Sequence, residues 1–115
     1  MRSMDSDSRA IDIRTCRRVI AQLLPSGHPT IDQVADQLGL SRRTLQRRLL
    51  TKGLTYTDLV EQQRCELACR YLKSQKLRIA EVAKVLGYND PAHFSRAFKR
   101  WKKMSPLKYR ESVKH

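Results

Sequence analysis

A chain of 115 residues, 40% of them hydrophobic, suits one compact domain or two very small units and excludes a large multidomain machine. Lys and Arg number 24 against 11 Asp and Glu, and the resulting net charge of +13 points to a polyanionic partner. No apolar run approaches the roughly 20 residues of a bilayer span, and the start lacks a secretory leader, so the expectation is a soluble, cytoplasmic protein without membrane contact.

Residues 1–10 are polar and read as a disordered tail or a remnant of cloning. Ile13, Cys16, Ile20 and Leu23 then follow a 3.6-residue period, which predicts a first helix over about Ile11 to Leu24. Pro25-Ser-Gly-His-Pro29 breaks it. Thr30, with Gln33 three residues on, forms a capping box for a second helix carrying Ile31, Val34, Ala35 and Leu38 and ending at Gly39. Ser41 caps a third, with Leu45 and Leu49 facing inward.

Thr55 and Asp58 repeat the cap ahead of a long pattern through Leu59, Val60, Arg64, Leu67, Ala68 and Leu72. About 18 residues at 1.5 Å each make this fourth helix a strut of roughly 27 Å. A fifth helix runs from Ile79 to Leu86 and stops at Gly87; Asp90 and Pro91 open a sixth, with Phe94, Phe98 and Trp101 on its buried side. Ser105 and Pro106 start a last short helix bearing Leu107, Tyr109 and Arg110.

Shifting the sequence on itself by 48 positions superimposes Ile31 on Ile79, Val34 on Val82, Ala35 on Ala83, Leu38 on Leu86 and Gly39 on Gly87. With one extra residue in the second turn, Leu45 meets Phe94, Arg47 meets Arg96 and Leu49 meets Phe98. The alanine suits the point where two helices cross, and the glycine suits the positive φ of a helix end that must reverse quickly. The expected fold is therefore all-α: about seven helices forming two helix-turn-helix subdomains, residues 11–54 and 74–112, joined by a long linker helix over 55–73.

The strings Ile79-Ala-Glu-Val-Ala83, Leu86-Gly-Tyr88, Phe94-Ser-Arg-Ala-Phe-Lys99 and Ser105-Pro-Leu-Lys-Tyr-Arg110 resemble the signature of the DNA-binding domain of AraC/XylS transcription regulators, over nearly the whole chain from Ile11 to Arg110. Two positions depart from it. Met104 stands where the family usually has glycine, so a different local turn is expected, and Arg78 stands where a helix cap would be, leaving the fifth helix less well satisfied. The resemblance implies a bacterial regulator, more often an activator, that contacts RNA polymerase and carries an effector or dimerisation domain on its N-terminal side.

The third and sixth helices are the candidate readers of a major groove about 12 Å wide. Arg43, Gln46 and Arg47 are expected to read bases, since Arg matches guanine O6 and N7 and Gln matches adenine N6 and N7; Arg42 is a further base candidate that could instead touch phosphate. The sixth helix offers Ala92, His93, Ser95 and Arg96, a weaker code, with Arg96 aligned by the resemblance to a DNA-contacting arginine. Backbone contacts are expected from Arg48, Lys52, Lys99, Lys102 and Lys103, with amides at the helix starts of Ser41 and Asp90. Two different readers on one chain imply an asymmetric site about two helical turns long, in double-stranded DNA.

Cys16, Cys65 and Cys69 fall on helical stripes where packing explains them, and His93 has no partners at ligand spacing, so no metal or cofactor is expected. No paired carboxylates, activated nucleophile or phosphate-cradling glycine loop supports an enzyme. The rival readings are a non-specific nucleic-acid-binding protein and a protein-interaction module that uses the charged face without entering a groove.

Overall fold

Among the described residues, every α-helix start after the first is set by a side chain within three residues of it. In the computed structural model, which describes residues 13–113, Thr30 Oγ1 accepts from the Gln33 amide at 3.1 Å while Gln33 Oε1 accepts from the Thr30 amide at 2.8 Å. Thr55 and Asp58 reproduce the same reciprocal pair at 3.1 and 3.2 Å. Ser41, Asp90 and Ser105 accept from the amides of Thr44, Ala92 and Lys108. Each such cap contributes about 1 kcal/mol.

These starts produce, among the described residues, α1 (Ile13–Leu23), a 3-10 turn (Leu24–Ser26), α2 (Ile31–Gln37), α3 (Arg42–Leu50), α4 (Tyr56–Ser74), α5 (Ile79–Val85), α6 (Pro91–Lys102) and α7 (Pro106–Ser112), with no strand. The proposed tail and the first residues of the expected first helix lie outside the described residues. Pro25 does not simply break α1: it sits inside the 3-10 turn, where its missing amide hydrogen is no loss.

The α5 start is less fully satisfied than the other capped starts, though not bare. Arg78 offers no side-chain cap, but Glu81 Oε1 accepts from the Arg78 amide at 2.7 Å, supplying half of a box from the other end. At the C-terminus of α6 the reversal is made by Lys103, at φ 64°, and Met104 needs no positive φ, so the turn works without the family's glycine.

The two helix pairs α2–α3 and α5–α6 flank the 19-residue α4, whose length is about 28 Å. The core is continuous rather than split: Cys16, Ile20, Leu24, Val34, Leu45 and Leu49 from the first half join Leu59, Leu72, Val82, Leu86, Phe94 and Phe98 in one buried cluster. Phe98 lies at its second-half centre, with ring centroids 5.9 Å from Phe94, 5.3 Å from Tyr109 and 6.2 Å from Trp101. Trp101 is only half-buried, because its indole must stay within reach of a polar partner at the rim.

Polar ties hold α4 to both halves. On the first side Arg17 donates to Gln62 at 3.1 Å, and the Tyr56 hydroxyl donates to Pro29 O at 2.7 Å. Burial pushes the Tyr56 phenol up to about 12. On the second side Glu61 accepts from Arg100 at 3.2 Å and from the Trp101 indole at 3.3 Å. Arg110 closes the far end of α4, donating to Leu72 O at 3.0 Å and Tyr71 O at 3.3 Å, so a cation meets the carbonyls left open at a helix C-terminus.

Candidate nucleic-acid interface

On α3 the period of the helix separates packing from display. Leu45 and Leu49 are buried, and Arg42, Arg43, Gln46 and Arg47 are exposed on the remaining faces. The α6 helix repeats the arrangement: Phe94 and Phe98 are fully buried, while Pro91, Ala92, His93 and Arg96 are exposed and Ser95 is half-buried. Arg47 and Arg96, matched by the repeat, are both on the displayed side of their helices. Each reader is held from behind by the first helix of its pair, with Ala35 and Ala83 buried at the crossings.

The four candidates on α3 are not equivalent. Arg42 is engaged by Asp32 of α2, its Nε donating to Oδ1 at 3.1 Å and its Nη2 to Oδ2 at 2.9 Å. That two-point contact raises the guanidinium pKa and turns the donors used for a guanine edge toward a carboxylate. Arg43, Gln46 and Arg47 present their side chains to solvent. Arg48 is half-buried, and Thr51 Oγ1 donates to its carbonyl at 2.6 Å, closing the helix before exposed Lys52.

Asp90 Oδ1 accepts from the Ala92 amide at 2.9 Å, while Oδ2 stands 4.0 Å from His93 Nε2. The basic run at the end of α6 divides by helix face. Arg100 and Trp101 turn to Glu61, whereas Lys99, Lys102 and Lys103 are exposed. Nothing in the sequence marks Glu61, some forty residues earlier, as the partner that takes Arg100 out of this run. Leu50, the last residue of α3, is an exposed apolar side chain that the sequence pattern does not single out.

Cys16 is buried and Cys65 and Cys69 are half-buried free thiols. Burial and the neighbouring Cys69 push the Cys65 thiol up, away from the thiolate form. Among the described residues no three His, Cys, Asp or Glu side chains gather as metal ligands, and no helix is long and apolar enough to cross a membrane.

The molecule measures 53 × 25 × 22 Å. Its long axis exceeds the 34 to 36 Å or so that separates successive major grooves on one face of B-DNA.

Comparison with known proteins agrees with this arrangement. Residues 34–112 match the model of a helix-turn-helix domain family. The HTH-type transcriptional regulator VirS of Mycobacterium tuberculosis is 37% identical over 110 residues, which is 93% of this chain and 32% of VirS, so the chain spans about a third of that relative. The C-terminal domain of AraT, a response regulator from Geobacillus stearothermophilus, superimposes with a TM-score of 0.76 at 31% identity, covering 90% of this chain and 86% of the domain. The DNA-binding domain of the global transcriptional factor AdpA, solved in complex with a target DNA, gives a TM-score of 0.72 at 25% identity over 87% of this chain and 90% of that one. Duplicated helix pairs, a shared core and a family match over most of the described residues make this chain a member of the AraC-type helix-turn-helix family of transcription regulators.

Proposed function

We propose that this chain binds double-stranded DNA sequence-specifically, laying α3 and α6 into successive major grooves. The observation that carries the reading is the duplicated register in which Arg47 and Arg96 are exposed opposite the buried pairs Leu45 and Leu49, and Phe94 and Phe98. Arg43, Gln46 and Arg47 read base edges on the first half-site, with Arg42 held by Asp32 at the margin of the groove, nearer phosphate than base. On the second half-site Arg96 is the main reader. Ala92 can meet a thymine methyl, and His93 and Ser95 add short polar contacts. Arg48, Lys52, Lys99, Lys102 and Lys103, with the amides following Ser41, contact phosphates and set the register, whereas Asp90 offers none, since Pro91 has no amide hydrogen and Asp90 itself accepts from the Ala92 and His93 amides.

The chain serves as the reading part of a longer cytoplasmic regulator, with an effector or dimerisation domain on its N-terminal side. That it spans only about a third of VirS supports a longer parent, and the family resemblance supports the N-terminal placement. Next to a promoter such a regulator acts as an activator through RNA polymerase, the mode its family resemblance favours.

Selection from a random duplex pool, followed by titration of the selected site, tests the binding mode. Each good bidentate pair contributes roughly 1 to 3 kcal/mol, so Arg43→Ala with Arg47→Ala loses more than about tenfold on that site. A smaller loss, or equal competition by random duplex across a salt series, overturns sequence reading in favour of charge alone. No footprint on any duplex would leave a protein-interaction module.

A further inference from the structure

Three segments far apart in the sequence meet at one point. Arg64, midway along α4, donates from Nε to Leu86 O at 3.0 Å, and its guanidinium carbon lies 4.4 Å above the Tyr88 ring. Leu86 and Tyr88 bracket Gly87, the turn of the second helix pair. A Cβ at Gly87 would stand 2.6 Å from Leu24 O, 3.1 Å from Gly27 C and 3.1 Å from Arg64 Nη2. The turn of the second reader thus rests directly on the 3-10 turn of the first half, with Arg64 clamping it from the strut.

We propose that Arg64 is a spacing-determining residue: it fixes the relative placement of α3 and α6, so that the chain accepts one separation between its two half-sites and rejects neighbouring ones. The inference rests on the two-reader mode proposed above. The apolar contact of α4 with α5 is non-directional and tolerates small rotations. A guanidinium is rigid, so donating to Leu86 O while its central carbon lies over the Tyr88 ring restrains the turn at two points, one on each side of Gly87. The close approach at Gly87 removes the remaining slack on the far side. One inserted base pair turns the second half-site by about 34° and moves it by about 3.4 Å, more than a clamped reader can follow. Arg64 is a positioning residue: it acts through the turn at Gly87 and belongs to neither α3 nor α6.

The test measures wild-type chain, Arg64→Met and Arg64→Lys on the selected duplex, on versions with one base pair added or removed between the half-sites, and on a duplex with the second half-site scrambled. Met keeps the apolar stem without the donor or the flat cation; Lys keeps the charge alone. The wild type is expected to lose at least about tenfold on the altered spacings. Arg64→Met is expected to flatten that profile to within about threefold while binding the scrambled duplex as the wild type does. A wild type indifferent to spacing overturns the two-reader mode and this inference with it. A spacing-sensitive wild type with an equally sensitive Arg64→Met overturns the role of Arg64 alone. If circular dichroism shows Arg64→Met unfolded, Arg64→Lys decides by the same criterion: a flattened profile supports the clamp and an unchanged one refutes it.

Discussion

Gly39 and Gly87 occupy the same position of the repeat, yet alanine should be tolerated very differently at the two. Both have positive φ, 71° and 90°, so a side chain at either adopts a left-handed conformation at a cost of roughly 1 to 2 kcal/mol. A Cβ at Gly39 meets nothing within 4 Å. At Gly87 it meets the Leu24 carbonyl oxygen at 2.6 Å, and backbone cannot swing aside as a flexible side chain can. Forcing the 3-10 turn and the second turn apart adds an overpacking penalty of roughly 1 to 3 kcal/mol. Gly39→Ala is therefore expected to destabilise by about 1 to 2 kcal/mol and Gly87→Ala by about 2 to 5 kcal/mol. Urea unfolding followed by far-ultraviolet circular dichroism measures both. With a slope of about 1.5 kcal/mol/M, Gly87→Ala should unfold at roughly 0.7 to 2 M less urea than Gly39→Ala. Equal midpoints would refute the contact between the two halves, since the backbone term alone is nearly common to both positions.

Two other outcomes follow from ties seen here. Tyr56 has its phenol pushed up from 10.0 to about 12 by burial, so the folded state favours the neutral hydroxyl that donates to Pro29 O. That contribution is complete below pH 10 and is lost as pH rises toward 12, and Tyr56→Phe should flatten stability over this window in alkaline urea titrations; an unchanged slope counts against it. Asp32→Asn removes a negative charge and releases Arg42, so binding to random duplex should tighten and its salt dependence steepen by up to about one unit of slope. An unaltered slope would mean that Arg42 stays away from the phosphates even when released.

What could be read in the sequence is what chain neighbours determine. Caps at Thr30, Ser41, Thr55 and Asp90 depend on an oxygen and an amide two or three residues apart, so their helices start where the residue types place them. The buried stripes follow for the same reason, from Leu45 and Leu49 to Phe94 and Phe98. Pairings across space left no such signal. Asp32 holding Arg42, Glu61 drawing in Arg100 and Trp101, and Arg64 closing on Leu86 each require two elements already docked. Gly87 was legible as a reversal point through its positive φ, but the carbonyl pressing on it belongs to Leu24, more than sixty residues away. At Met104 the missing family glycine signalled an altered turn, and the left-handed residue of the reversal is Lys103, one place earlier.

Methylation interference on the selected duplex tests the central claim most directly, because a methyl on guanine N7 blocks only groove edges that a reader occupies. Two patches of interference centred about 10 base pairs apart on one face are expected, the first weakened selectively by Arg43→Ala and the second by Arg96→Ala. A single patch, or two that respond alike to both substitutions, would contradict reading by both helices.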